Sequence, residues 1–269
     1  MNTRKRGTLL LLVLCALLVL PGCQSLLRLT YRNEDFKWVE PKDLAKIIIQ
    51  STRDVGFRFV VTDKETMGEL RESLSTALPV EERNSLAPDY IFEFHTYDNR
   101  IIKYYYTTGT VNEDHKGNFY NDTKQYVVLN RIDNQLIRNL FALRKPQSFY
   151  EGYYGSVLQA LKTIAADHEG VPLAVLIGED KEMLKFQMSY EILDFNVMLS
   201  ERGMRPVQKD RDGDVVVIVN TVGYKTNLYK AILKVQDNTH RKTTRYYVVS
   251  HFNGGKWTTT VTQKAPEGF

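Results

Sequence analysis

Cysteine is scarce in this sequence: the 269 residues include only Cys15 and Cys23. Because both lie within the first 23 residues, the rest of the chain, from Gln24 to Phe269, contains no thiol. That part of the chain cannot depend on disulfides, and zinc–thiolate sites and cysteine nucleophiles are excluded there as well. With 43% hydrophobic and 11% aromatic residues, the chain has enough apolar side chains to fold around a conventional core.

The motifs of common catalytic and cofactor sites are also missing. The sequence has no G-x-G-x-x-G or Walker loop and no G-x-S-x-G elbow. The five histidines are scattered without the spacing of metal ligands. Asp210, Asp212 and Asp214 alternate as in calcium loops, but position twelve of such a loop would be Thr221 and not glutamate, so we interpret this segment as a polar turn. We therefore predict no catalytic residue, no metal site and no cofactor.

Positive charge is concentrated only at the start of the chain. The formal net charge of +4 comes from 36 basic and 32 acidic residues, and Arg4, Lys5 and Arg6 supply three of the basic ones. The rest of the chain therefore has 33 basic and 32 acidic residues, a net charge of +1. Nucleic acids are bound by clearly basic faces, so we do not expect nucleic acid as a partner.

The first 23 residues have the organisation of a secretory signal. Three basic residues precede an uncharged apolar run from Thr8 to Leu20, which leads into Leu20-Pro21-Gly22-Cys23. This run of about 13 residues is shorter than the roughly 20 that a membrane-spanning helix needs. The residues before Cys23 resemble the lipobox of bacterial lipoproteins, and the general layout is similar to that of uncharacterised lipoproteins of Gram-positive bacteria.

This resemblance implies that residues 1–22 are a lipoprotein signal peptide and that Cys23 receives a lipid before cleavage. Two or more acyl chains would hold the protein firmly to the extracytoplasmic face of a membrane. Residues 23–42 would then be the lipidated cysteine and a tether. The alternatives are an ordinary cleaved signal in which Cys23 is incidental, or an uncleaved N-terminal anchor.

Hydrophobic periodicity after this segment predicts an α+β fold. Apolar residues at helical spacing predict helices at 64–77, 131–143 and 148–169, and the segments between them alternate as strands do. Because the strands follow one another through turns such as Asp98-Asn99, we expect antiparallel sheets with helices on one face.

The pattern recurs along the chain. Residues 173–177 predict a strand, Leu184, Phe186 and Met188 alternate as in a second strand, and a helical stripe from Ile192 repeats an earlier one from Met67 at an offset of 125. We therefore predict two similar β-β-α-β-β-β units joined by helices. The first α+β unit would span 43–145, and 146–269 would hold a linking helix and the second unit. Chance recurrence of a helix followed by a hairpin is the alternative.

Tyrosine is in excess, with 16 residues and several runs. Neighbouring residues of a strand point to opposite faces, so each run places one ring inside and another outside. Exposed rings can stack on sugars or anchor a protein partner. We therefore predict a binding surface that includes Tyr104, Tyr106 and Tyr246, together with Asp114 and His115 of a polar loop at 112–122. Half-buried strand residues and a solvated loop are the alternatives.

Together these features predict a membrane-anchored extracytoplasmic lipoprotein that acts as a non-enzymatic binding or protein-interaction module of the cell envelope. Its expected partners are the membrane, through the N-terminal lipid, and an envelope protein or glycan. Two other classes stay open. A solute-binding lipoprotein of a transporter would usually have two lobes with parallel sheets. A carboxylate-dependent envelope glycan hydrolase would need two acids roughly 5 to 9.5 Å apart, and this distance is spatial rather than sequential.

Overall fold

The computed structural model describes residues 32–109, 116–128, 132, 145–146 and 148–269. These residues form thirteen β-strands in two sheets and three α-helices, so the fold is mostly β. The predicted α+β class is therefore wrong. The sequence pattern underestimated the sheets because strands of two or three residues, such as Leu78–Val80 and Phe119–Tyr120, are too short to show an alternating pattern. The helix predicted at 131–143 lies outside the described residues, apart from the buried Ile132.

The first sheet has seven strands, all paired antiparallel, in the order β2-β1-β4-β5-β6-β7-β3. The strands are β1 (Leu44–Ser51), β2 (Arg58–Val61), β3 (Leu78–Val80), β4 (Tyr90–Thr96), β5 (Ile101–Tyr106), β6 (Phe119–Tyr120) and β7 (Gln125–Val127). The β4–β5 hairpin turns at Asp98-Asn99, where Asn99 has a φ of 63°, a conformation that asparagine tolerates better than most residues.

Helix α1 (Lys64–Ser75) covers the inner face of this sheet with Met67, Leu70 and Leu74. It begins where the Asp63 carboxylate accepts hydrogen bonds from the first free backbone N–H groups. The core beneath it is rich in aromatic rings. One of them, Phe36, belongs to the segment predicted as a tether, and it is buried with its ring centroid 4.7 Å from that of Tyr126. The chain is thus already packed on the first sheet at Phe36.

The second sheet has six strands in the order β13-β12-β11-β10-β8-β9. The strands are β8 (Leu173–Leu176), β9 (Arg205–Pro206), β10 (Val215–Lys225), β11 (Leu228–Asp237), β12 (Lys242–Asn253) and β13 (Lys256–Thr262). Helices α2 (Ser156–Asp167) and α3 (Ser189–Ser200) bury their apolar sides in the core of this sheet. A π-helical segment, Tyr150–Gly155, leads directly into α2.

The two halves differ in topology, so the predicted pair of similar units is wrong. Helices α1 and α3 do begin 125 positions apart, and so do β4 and β10. In the first half the β1–β2 hairpin precedes the helix, and β1 pairs antiparallel with β4. In the second half Leu184–Phe186 forms a 3₁₀-helix instead of the predicted strand. Because the second half lacks this second strand, the chain reverses direction once less between β8 and β10 than between β1 and β4. Strand β8 therefore connects to β10 by a crossover through α3 and runs parallel to it.

No α-helix within the described ranges is both long enough and apolar enough to span a bilayer.

Candidate functional site

The structure places the three predicted surface tyrosines inside the two cores. Tyr104, Tyr106 and Tyr246 are 4%, 0% and 2% exposed, so these rings are not available to a partner. Asp114 and His115, the other members of the predicted surface, lie outside the described residues, as does the lipidation candidate Cys23.

Strand parity explains this outcome. Tyr104 lies opposite Phe92 on β4 and stacks on Phe119, with ring centroids 4.7 Å apart. The outward ring of the run is therefore the central one, Tyr105, which stacks on Tyr120 at 5.6 Å. The sequence shows that the run must alternate, but only the pairing with the aromatic β4 decides which residues point inward.

Tyr246 is also committed to a structural contact. Its hydroxyl donates a hydrogen bond to the Asp167 carboxylate at 2.8 Å, where α2 ends. Burial, together with this carboxylate, raises the pKa of Tyr246 to about 12. The hydroxyl therefore stays protonated and ties β12 to α2.

A pocket of about 460 Å³ opens between the start of α2 and the β12–β13 hairpin. Aromatic rings from both elements form its walls: Tyr150, Phe252 and Trp257. Its polar lining includes three exposed long side chains: Glu151, Gln159 and Lys256. This combination of apolar walls and a few polar groups is the usual composition of a small-molecule site.

The pocket wall on the helix side is built from the π-helical segment. Such segments are rare, and they occur frequently at functional sites. A Cβ added at Gly152 would overlap the hydroxyl of Tyr224, which donates a hydrogen bond to the Ser148 carbonyl at 3.2 Å. At Gly155, which also lines the pocket, an added Cβ would have no heavy atom within 4 Å. The first glycine permits close packing, and the second leaves the pocket open.

Ser148, at the same wall, has a φ of 53°. This left-handed conformation is uncommon for residues other than glycine, asparagine and aspartate. Residues held in such conformations cluster at ligand sites and active sites, and each costs about 1–3 kcal/mol. The strain at Ser148 therefore lies where the pocket is formed.

Trp257 forms the opposite wall and is 5% exposed. Its ring centroid lies 5.4 Å from that of Phe252 and 5.8 Å from that of Tyr224. In the part of the chain that the structure describes, the indole Nε1–H has no hydrogen-bond acceptor. A buried donor without an acceptor is uncommon, because leaving it unpaired costs about 1–3 kcal/mol.

Tyr150 contributes a further donor. Burial, followed by the nearby carboxylates of Asp194, Glu191 and Glu151, raises the pKa of its hydroxyl above the ordinary value. The group is therefore protonated at neutral pH and can donate a hydrogen bond. Glu151 is the only carboxylate among the described residues that line the pocket.

Three other carboxylates, Asp89, Asp180 and Glu191, are buried away from the pocket lining. Thr221 donates hydrogen bonds to Asp180 from both its backbone and its hydroxyl, at 3.1 and 2.7 Å. Glu191 pairs with Lys145 at 2.7 Å. Burial raises the pKa of both Asp180 and Glu191. These contacts give the acids structural roles.

Among the described residues, no group of three or more histidine, cysteine, aspartate and glutamate side chains could hold a metal ion. In the calcium-like turn, the Asp212 carboxylate accepts a hydrogen bond from the backbone N–H of Lys209 at 3.0 Å. This local contact closes the turn on itself.

The sequence pattern did not predict the pocket. Its lining residues extend from Ser148 to Trp257 and come from separate elements, so no local motif marks it. The glycines at 152 and 155 within a predicted amphipathic helix were the available signal, because glycine in a helix interior lowers stability and needs a reason.

Comparison with known proteins gives a family match for only part of the chain. No curated protein and no solved structure matches it. The pocket lies after the matched segment, in residues 148–257. Residues 40–146, which include every strand of the seven-stranded sheet, match the family described as YhfM protein, so a YhfM family domain covers this part of the chain.

Proposed function

We propose that this protein is a membrane-tethered, extracytoplasmic binding module of the cell envelope and that the pocket between α2 and the β12–β13 hairpin is its ligand site. The observation that carries the proposal is the pocket itself. Strained Ser148, the π-helical segment and Trp257, whose buried Nε1 has no hydrogen-bond partner among the described residues, all contribute to its walls. Each lowers the stability of the fold, and such costs are typical of positions kept for function.

Binding fits the lining better than hydrolysis does. A glycan hydrolase generally uses two carboxylates that flank the scissile bond. Glu151 is a single carboxylate among the described lining residues, and the buried acids Asp180 and Glu191 are already hydrogen-bonded elsewhere. A transporter's solute-binding protein is less well supported, because parallel pairing is confined to β8 with its neighbours β9 and β10 within the described strands.

The short distance in sequence between Cys23 and the first residues packed on the first sheet supports a lipid tether. Asn33 donates hydrogen bonds to the carbonyls of Ser75 and Ala77, at 2.6 and 2.7 Å. Asn33 lies ten positions after Cys23. At roughly 3.3–3.6 Å per residue, this length reaches at most about 36 Å. A lipid on Cys23 would hold the folded part of the chain within that distance of the bilayer.

Site-specific crosslinking in native membranes tests the ligand site. A photoreactive amino acid is placed at Gln159, on the pocket lining, in the full-length protein. We expect a defined adduct, of whatever chemical class, that disappears when Gly155→Leu fills the pocket. A side chain can be added there because a Cβ at Gly155 would have no heavy atom within 4 Å.

Gln208 provides the matched control, since it is an exposed glutamine outside the pocket lining. The same photoreactive residue there should not give the adduct. An identical adduct from both positions, or one that persists in Gly155→Leu, would contradict a ligand site in this pocket.

A further inference from the structure

The chemistry of the pocket indicates what it binds. We infer that the pocket takes a neutral pyranose ring of an envelope glycan; this inference rests on the proposed function and names the ligand class of the same site. A pyranose has faces of C–H bonds and a rim of hydroxyl groups. It therefore needs aromatic surfaces on its faces and hydrogen-bonding groups at its edge.

The walls supply the aromatic surfaces from two directions. Tyr150 comes from the π-helical segment, and Phe252 and Trp257 come from the facing hairpin. The negative face of an aromatic ring attracts the weakly positive C–H bonds of a sugar. The Phe252 and Trp257 rings are tilted by 48° to each other, so their faces do not lie in one plane.

The polar groups match hydroxyls. Glu151 accepts hydrogen bonds, Lys256 donates them, and the Gln159 amide does both. The Tyr150 hydroxyl is a further donor at the pocket wall. A sugar hydroxyl both donates and accepts, so it can satisfy either type of group. An apolar ligand would displace water from these groups without replacing the hydrogen bonds that the water makes.

The charges favour a neutral ligand. Glu151 and Lys256 carry opposite charges, and both are exposed at the pocket. A polyanion would be attracted by the ammonium group and repelled by the carboxylate, and a polycation the reverse, so the pair favours neither sign of charge. The cavity volume of about 460 Å³ lies within the roughly 300–1,000 Å³ of small-molecule sites.

Trp257 provides the readout. The chain has two tryptophans, and the other, Trp38, packs against Phe94 in the first half. In full-length Trp38→Phe protein in detergent, emission therefore reports on the pocket alone. The probes are neutral oligosaccharides of glucose, mannose, galactose and N-acetylglucosamine, with a galacturonate oligosaccharide and an aromatic tripeptide for comparison. We expect a saturable change in emission with at least one neutral oligosaccharide, with a Kd of about 10 µM to 1 mM.

Two glycines give a matched pair of variants. Gly155 and Gly68 are both helical, and an added Cβ at either would have no heavy atom within 4 Å, but only Gly155 lines the pocket. Gly155→Leu should weaken oligosaccharide binding at least about tenfold, and Gly68→Leu should leave it unchanged. Calorimetric titration of the wild-type protein gives the same answer if Trp38→Phe impairs folding.

The inference is overturned if no neutral oligosaccharide binds, if only the galacturonate or the tripeptide binds, or if the two leucine variants bind equally well. The crosslinking at Gln159 then tests separately whether the pocket is a ligand site and whether its ligand is a sugar. A pocket-dependent protein adduct without sugar binding would contradict the sugar as ligand but support the pocket as a binding site. Absence of both the adduct and sugar binding would contradict both proposals.

Discussion

The backbone N–H of Ser189, the first residue of α3, donates a hydrogen bond to Oδ1 of Asp89 at 2.9 Å. These residues are 100 positions apart and lie in the two different halves of the chain. Met188, which precedes the helix, has no side-chain oxygen to accept from the first turn. Asp89 therefore caps α3 from the first sheet. It also accepts hydrogen bonds from Arg53 and Thr108, so one buried carboxylate connects three segments.

Removing this carboxylate should destabilise the fold strongly. Asp89→Ala would leave the Arg53 guanidinium, only 16% exposed, without its charged partner. Breaking a buried ion pair in this way costs about 3–5 kcal/mol, and we expect a loss of that size in urea unfolding. Glu72→Ala is the control, because Glu72 and its partner Arg32 are both exposed and such pairs contribute about 0–1 kcal/mol. Equal losses for the two variants would contradict the capping role.

Asp180 should give the stability of the protein an unusual dependence on pH. Burial raises its pKa above the ordinary value of 3.8, although hydrogen bonds from Thr221 partly offset this. The folded chain thus binds the proton more tightly than the unfolded chain, so ionisation of Asp180 lowers stability as the pH rises through this range.

The wild-type protein should therefore gain free energy of unfolding relative to Asp180→Asn when the pH falls from 7 to 4. The pH-independent effect of the lost hydrogen bond cancels in this comparison. Denaturant unfolding of both proteins at the two pH values measures it. The prediction fails if the difference in free energy of unfolding between the two proteins is the same at both pH values, or if the variant becomes the relatively more stable protein at pH 4. Either result would show that burial does not destabilise the ionised Asp180.

The tyrosine run should respond to substitution according to strand parity. Tyr104→Ala removes an inward ring stacked on Phe119, and we expect a loss of about 3–5 kcal/mol. Tyr105→Ala removes a half-buried outward ring, and the loss should stay near 1 kcal/mol. Thermal or urea unfolding compares the two. A larger loss for Tyr105→Ala would mean that the register between β4 and β5 is wrong.

Ser148→Gly should stabilise the protein. Glycine adopts a φ of 53° without a steric penalty, so relief of the strain should exceed the extra entropy of the unfolded glycine, with a net gain of up to about 1 kcal/mol. Ser85→Gly, at an exposed position without a positive φ, should give no gain. A destabilised Ser148→Gly protein would indicate that the serine side chain, rather than backbone strain, matters there.

Local periodicity predicted the elements that are long enough to show it. Helix α1 was expected at 64–77 and lies at Lys64–Ser75, and the strand expected at 173–177 lies at Leu173–Leu176. Helix α1 has apolar residues at helical spacing that face one core, and β8 is a continuous apolar run buried on both faces. The alternation at Leu184, Phe186 and Met188 failed because Leu184–Phe186 forms a 3₁₀-helix, from which Phe186 packs in the core of the second sheet while Met188 packs against the core of the first.

The features that depend on distant residues could not be predicted. Pairing with Phe92 decides the orientation of Tyr104, and Asp89 provides the cap of α3. The pocket forms where Trp257 and Tyr150, from separate elements, line the same space. Each of these joins elements whose relative position follows from the topology of the sheets. The parallel pairing of β8 with β10 is the clearest example, since the loss of one strand changes the expected antiparallel pair into a parallel one.

The scarcity of cysteine allows the most direct test of the account. Gln159→Cys places a thiol on the pocket lining of a chain that has none after Cys23. We predict that a membrane-impermeant maleimide labels this variant in intact cells, that the labelled protein remains with the membranes, and that Cys23→Ser in the same background releases it or stalls its processing. Labelling only after lysis, or unchanged membrane attachment at mature size without Cys23, would contradict a pocket displayed outside the cell on a lipid tether.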